Sequence, residues 1–249
     1  MLTSIFSVLV LAGVAGFFIG CIGIGGVLLV PGLTFGGVEI HEAIAASMLS
    51  YVFCAAVGVW IFSRQGSIDW PSARWLCLAA MPAAFAGALA ATAIKASVLE
   101  AIVGLALLVS GVRAFIHGRA GTQPRKLKVH QLMLIGAVSG FGSALTGTSG
   151  PVVLVPILVW YDMPILAAVG LSQAIQVPIA LLATFGNGFY GHIDLKLGLL
   201  LAAGLTVGTA AGALAAHRMP APLLRRLAGI VMLAAGGLFI VRYVQHYGW

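Results

Sequence analysis

Apolar residues dominate the chain in eight long segments, which short polar stretches separate. The segments run about 3–37, 42–63, 73–94, 97–117, 130–160, 164–190, 195–217 and 221–244. Most are long enough to cross a hydrocarbon layer of about 30 Å as an α-helix. No stretch alternates apolar and polar residues as a transmembrane β-strand does. The pattern therefore predicts an all-α membrane protein.

The first and fifth segments are too long for one simple span, and glycine interrupts each of them at residues 23–26 and 147–150. Glycine lets the backbone leave a helix, and the freed amides can then bind a solute. A paired interruption at corresponding places of two halves is typical of a transporter's binding site. We expect both segments to be broken or re-entrant helices.

The second half of the chain repeats the first at an offset of 124 residues, which becomes 125 after one insertion at Pro151. The Gly-x-Ile-Asp sequence at 66–69, for example, recurs at 191–194. A register kept over most of a half-chain indicates duplication. The predicted organisation is a first transmembrane repeat of four segments at 1–117, a basic central loop at 118–129 and a second repeat at 130–249.

Composition and charge support a multi-pass protein of the inner (plasma) membrane. The chain is 61% hydrophobic and 8% charged, with a formal net charge of +7, and no soluble core uses so much apolar surface. Basic residues cluster around the central loop, which predicts by the positive-inside rule that this loop is cytoplasmic rather than a nucleic-acid patch. These residues are Arg113, Arg119, Arg125, Lys126 and Lys128.

The orientation of the repeats depends on the two interrupted segments. If each crosses fully, the repeats are parallel, and nine Lys and Arg residues lie inside against four outside. If each is re-entrant, the repeats are inverted, and the count becomes ten against three. The charge rule favours neither arrangement.

Backbone amides and neutral polar side chains near the interruptions form the candidate solute site. Half-helix ends and hydroxyl donors suit a small oxyanion without a buried cation. The alternative is that the glycines serve close helix packing and the polar side chains serve interhelical hydrogen bonds. The candidate substrate-binding residues are Gly23, Gly25, Gly26, Ser47, Thr146, Thr148, Ser149, Gly150, Ser172, Gln173 and Gln176.

Two motifs contain these interruptions: Gly-Ile-Gly-Gly-Val-Leu-Leu-Val-Pro at 23–31 and Gly-Thr-Ser-Gly-Pro-Val-Val-Leu-Val-Pro at 147–156. With the Gly-x-Ile-Asp pairs, they resemble the TauE/SafE sulfite-exporter family of membrane permeases over nearly the whole chain. The resemblance implies a permease for sulfite, an organosulfonate or a related small anion. Such a protein would work by alternating access of one site.

Asp69 and Asp194 end the Gly-x-Ile-Asp sequences just before apolar segments. A carboxylate there is predicted to cap the following helix. The alternative is a role in coupling or gating.

Enzymatic functions find little support. No Walker-type phosphate loop occurs, and Cys21, Cys54 and Cys77 are scattered without a CxxC pair. We expect no enzymatic activity, cofactor or metal, and the expected partners are a small anionic solute and the lipid bilayer, with a homodimer left open. Two alternatives remain, a membrane thiol-redox protein and a non-transporting assembly partner.

Overall fold

The computed structural model describes residues 5–90, 96–116, 127–146, 150–189 and 194–247. Over these residues the chain forms helices and turns, with no strand, which confirms the predicted all-α class. The helices are α1 (Ile5–Ile22), α2 (Gly26–Phe35), α3 (Ile40–Arg64), α4 (Trp70–Ala90), α5 (Ala96–Ile116), α6 (Val129–Thr146), α7 (Pro151–Trp160), α8 (Ile165–Phe189), α9 (Leu195–Arg218) and α10 (Ala221–Tyr247).

In this described part of the chain, five helices are long and apolar enough to cross a membrane. They are α1, α3, α8, α9 and α10. Many of their large apolar side chains are exposed, as expected for surfaces that face lipid. The finding agrees with a multi-pass membrane protein.

Local chemistry explains where several helices begin and end. Gly23 ends α1 with a φ of 79°, a left-handed conformation that glycine adopts without steric cost. Pro151 begins α7, where its missing N–H has no intrahelical partner to lose. Asp194 caps α9, since its carboxylate accepts hydrogen bonds from the backbone N–H groups of Lys196 and Leu197 at 2.8 and 3.2 Å.

Helix α1 of the first half packs in parallel on α9 of the second half. Two glycines of α1 lie at this contact, Gly16 against Leu205 and Gly20 against Thr209. A Cβ at either glycine would overlap the backbone of α9. The glycines therefore let the two helices approach closely, as small residues do in membrane helix pairs.

Helix α6 of the second half packs on α4 of the first half in the same manner. Gly136 lies against Leu76, and Gly140 lies against Ala80. Both contacts advance in the same direction along the two helices, so α4 and α6 are also parallel. The two halves thus exchange equivalent helix contacts.

Helices α1 and α2 form a hairpin, which we call the first hairpin. Gly25 packs on Ala15 and Ile19 near the end of α1, whereas Gly32 packs on Leu11, further back along the helix. Because the contacts move backwards along α1 as the chain advances, α2 runs antiparallel to α1.

Helices α6 and α7 form the equivalent second hairpin, and the connecting residues 147–149 lie outside the described residues. A Cβ at Gly150 would lie 3.9 Å from the Ser143 hydroxyl, and a Cβ at Gly142 would lie 3.5 Å from Val153. These contacts again move backwards along α6, so α7 is antiparallel to it.

Contacts between connecting segments show which helix ends lie together. The Ser67 hydroxyl after α3 is 2.9 Å from His217 Nε2 at the end of α9. A Cβ at Gly170, near the start of α8, would lie 2.9 Å from the Ser67 carbonyl oxygen. Arg113 near the end of α5 pairs with Asp162 after α7, with 3.5 Å between Nη2 and Oδ2. The ends of α3, α5, α7 and α9 and the start of α8 therefore share one end of the bundle.

Candidate functional site

The turn of the first hairpin lies against the second half of the chain. A Cβ at Gly23 would come within 2.9 Å of Val155 Cγ2, 3.0 Å of the Ser172 hydroxyl and 3.5 Å of Pro151 Cβ. Gly23 thus contacts both α7 and α8, although the second half begins more than a hundred residues later. The structure therefore brings together two of the predicted site residues, Gly23 and Ser172.

Backbone polar groups at this turn have few partners. The N–H group of Gly23 still completes α1 by donating to the Ile19 carbonyl at 2.9 Å. The next two residues, Ile24 and Gly25, are buried. No described backbone carbonyl accepts a hydrogen bond from their N–H groups. Donors at the start of a helix, such as these before α2, can bind an anion.

Tyr51 of α3 contacts the start of α2. Its buried hydroxyl donates a hydrogen bond to the Gly26 carbonyl at 3.2 Å. Sequence reasoning missed Tyr51, although it stands at the position equivalent to Gln176 at the 125-residue offset. Because Gln176 was a candidate site residue, that equivalence could have identified Tyr51.

Gln173 of α8 links the second half to the end of α1. Its Nε2 donates to the Ile19 carbonyl at 2.9 Å, and its side chain is fully buried. Its Oε1 has no hydrogen-bond partner among the described groups and is directed at Gly58, where a Cβ would come within 2.7 Å of it. Gly58 therefore makes the space in α3 that the Gln173 amide occupies.

Gln176 lies one turn further along α8 and is 1% exposed. Neither Nε2 nor Oε1 of its amide has a hydrogen-bond partner among the described groups. Ser139 of α6, which the sequence analysis did not select, likewise has a buried hydroxyl without a partner. Leaving such groups buried and unpaired costs about 1–3 kcal/mol each.

The remaining candidate residues fall into two groups. Ser47 and Ser172 are fully buried, but each hydroxyl already donates within its own helix, to Ala43 at 2.6 Å and to Val169 at 2.7 Å. Gly150 is buried against α8. Thr146 ends α6, and its side chain is outside the described part, as are Thr148 and Ser149 entirely.

The site is neutral in charge. Helices α1, α2, α7 and α8 contain no Lys, Arg, His, Asp or Glu. Backbone N–H groups, amide groups and hydroxyls supply its polarity. Such a set can bind a solute by hydrogen bonds and helix dipoles.

A separate cleft of about 530 Å³ lies at the end of the bundle marked by Arg113. The Arg113 guanidinium stands 5.3 Å from the centre of the Trp160 ring and pairs with Asp162. The cleft lies between α5 and the end of α7, lined by Ser110, Arg113, Pro156, Ile157, Trp160, Tyr161 and Asp162.

Comparison with known proteins also indicates a membrane protein. Residues 8–239 match the family described as Sulfite exporter TauE/SafE. The chain belongs to the TauE/SafE family. The match runs from within α1 to within α10.

Two relatives of this TauE/SafE chain carry names of the same kind. It is 24% identical over 214 residues to the probable membrane transporter protein MJ0441 of Methanocaldococcus jannaschii, covering 76% of this chain and 79% of the relative. It is 24% identical over 242 residues to the probable membrane transporter protein YdhB of Bacillus subtilis, covering 94% and 98%. No solved structure matches the chain. Family and relatives together identify a membrane transporter.

Proposed function

We propose that this TauE/SafE protein is a secondary permease for a small anion. The leading candidates are sulfite, an organosulfonate or a related sulfur oxyanion. The observation that carries the proposal is the contact of Gly23 with Pro151, Val155 and Ser172. It joins the turn of one hairpin to the flank of the other, next to the buried amides of Gln173 and Gln176. The family description supplies the sulfur oxyanion.

The hairpins are re-entrant, and the repeats are inverted. Arg113 precedes the fifth apolar segment, and Asp162 follows it. A segment that crossed fully would hold these residues about 30 Å apart, on opposite sides of the hydrocarbon layer. The ion pair of 3.5 Å between them supports a segment that leaves the membrane on the side it entered.

The contact between Ser67 and His217 supports the same arrangement independently. With two fully crossing segments and parallel repeats, Ser67 and His217 would lie on opposite sides of the membrane. Their 2.9 Å hydrogen bond supports a position on the same side. In the inverted arrangement, ten of the thirteen Lys and Arg residues lie on the side of the central loop, which supports a cytoplasmic position for that loop.

The exchange of helix contacts between the halves supports a duplication. The α1–α9 contact corresponds to the α6–α4 contact when the halves are interchanged. The hairpin of each repeat therefore packs on a helix of the other repeat. Rocking of one such unit against the other would open the shared site to each side in turn.

Counterflow of labelled sulfite in proteoliposomes tests the proposal, with sulfate, acetate and an organosulfonate in parallel. We expect exchange of a sulfur oxyanion well above that of empty vesicles. Replacing Gly26 or Gly150 with Leu should abolish exchange while the protein still purifies as a folded species. Exchange no faster than that of empty vesicles for every anion would end the anion-permease proposal.

The same assay separates transport from thiol-redox chemistry. Cys21 and Cys54 are buried, and Cys77 is partly buried with its thiol 3.6 Å from the Ala174 carbonyl. A variant with Ala at these three positions should retain most of its flux, because none of the thiols lies among the proposed solute donors. Loss of flux in this variant, with the fold intact, would favour the redox alternative.

A further inference from the structure

The unpaired polar atoms near the hairpin contact include acceptors as well as donors. Gln176 has an unpaired Nε2 and an unpaired Oε1, whereas the unpaired Oε1 of Gln173 packs against Gly58 of α3. All belong to side chains exposed by no more than 1%. A solute with acceptor oxygens alone would satisfy only the Nε2 donor of Gln176 and leave its Oε1 unpaired.

The orientation of one amide is fixed by its partner. The Ile19 carbonyl can only accept a hydrogen bond, so the Gln173 atom 2.9 Å from it is the Nε2 donor and the free atom is the oxygen. For Gln176 the two amide atoms can exchange places, but both are unpaired in either orientation. The presence of unpaired acceptors therefore does not depend on how the amides are assigned.

Charge limits the solute further. Helices α1, α2, α7 and α8 supply no cation to this region. Among the described residues, the buried titratable side chains are Cys21, Tyr51 and Cys54, all neutral in their ordinary form. The cost of burying an ion rises with the square of its charge, and neutral dipoles compensate a single charge far more readily than a double one.

We infer that the solute is a singly charged sulfur oxyanion that also carries an O–H or N–H donor, and that Gln176 recognises both features. Its Nε2 donates to an oxyanion oxygen, and its Oε1 accepts from the donor of the solute. This inference rests on the proposed permease function. It makes Gln176 a specificity-determining residue and disfavours dianions such as sulfate.

A matched pair of sulfonates tests the inference without a change in charge. Labelled 2-hydroxyethanesulfonate and ethanesulfonate are both singly charged and differ only by one hydroxyl group. In proteoliposomes containing the full chain, the hydroxylated anion should move at least about tenfold faster, because its analogue leaves a buried acceptor unpaired. Labelled sulfite serves as the reference solute.

Variants then locate the discrimination. Gln176→Met replaces the amide with an apolar chain of similar length, and the rate ratio of the two sulfonates should fall towards one. Gln65→Met makes the same chemical change at an exposed position after α3 and should leave the ratio unchanged.

The outcomes distinguish this inference from the proposed function. Equal rates for the two sulfonates in the unmodified protein would overturn the inference and leave the anion permease standing. A ratio that persists in Gln176→Met would remove Gln176 from recognition. No flux of either sulfonate or of sulfite would refute the permease proposal itself, and the inference with it.

Discussion

Arg113 and Asp162 form an ion pair of 3.5 Å that joins α5 to the turn after α7. Asp162 is the residue of this turn with a left-handed backbone, at a φ of 57°. The equivalent turn of the first half uses Gly37 for the same conformation, at a φ of 93°. An aspartate thus stands where glycine would be easier to accommodate, and the ion pair distinguishes the second hairpin from the first.

Substitutions at Asp162 should separate backbone strain from charge. Asp162→Gly and Asp162→Ala both remove the exposed ion pair, which contributes little to stability. The left-handed conformation is unfavourable for alanine but not for glycine. The Asp162→Ala variant should therefore be less stable than the Asp162→Gly variant by about 1 kcal/mol. Thermal unfolding of the two purified variants in the same detergent measures the difference. Equal melting temperatures would contradict the assigned turn geometry.

Tyr51→Phe should loosen the start of α2. The substitution removes the buried hydrogen bond to the Gly26 carbonyl, which is worth about 1 kcal/mol. We expect a lower melting temperature and slower sulfite exchange, since the first N–H groups of α2 are proposed solute donors. A variant that melted and transported like the original protein would show that this bond does not position α2.

Gly25→Ala should force the first hairpin apart. The added Cβ would overlap the Ala15 carbonyl and approach the Ile19 nitrogen at 2.7 Å. Overpacking of this kind costs about 1–3 kcal/mol. Gly13→Ala is the matched control, because a Cβ there meets nothing within 4 Å and the helix propensity of α1 improves. A Gly25→Ala variant as stable as the control would refute the close approach of α2 to α1.

Gly23→Ala should be worse for transport than Gly150→Ala. At Gly23 a Cβ is strained by the positive φ and meets Val155 and Ser172 at 2.9 and 3.0 Å. At Gly150 the nearest contact is the flexible Cδ1 of Ile179, at 3.2 Å. Exchange rates of labelled sulfite, normalised to reconstituted protein, compare the two. Comparable rates would mean that the turn of the first hairpin does not shape the solute path.

Hydrophobic pattern was sufficient to locate most helices. The predicted segments 42–63 and 195–217 correspond closely to α3, Ile40–Arg64, and α9, Leu195–Arg218. This works because a helix in lipid must be apolar along its whole length, so its ends coincide with the polar residues. Capping by Asp194 was predicted for the same local reason and is observed.

The contacts between helices could not be predicted from the hydrophobic pattern. Lipid-facing and buried positions are both apolar in a membrane helix, so periodicity does not reveal which helices touch. The hydrogen bond from Gln173 to Ile19 joins residues 154 positions apart, and nothing local to either residue predicts it. The backward course of α2 depends similarly on how Gly25 and Gly32 pack on α1, which is a tertiary contact.

The central claim is that the two hairpins enter the membrane from opposite sides, and the positions just before α3 and α8 test it most directly. Glu39 and Pro164 are exposed and equivalent at the 125-residue offset. Each is replaced singly with Cys in a chain whose native cysteines are changed to Ala, and intact cells are treated with a membrane-impermeant maleimide. The account predicts that the cysteine at 39 reacts in intact cells and the cysteine at 164 only after permeabilisation. Reaction of both from the same side would contradict it.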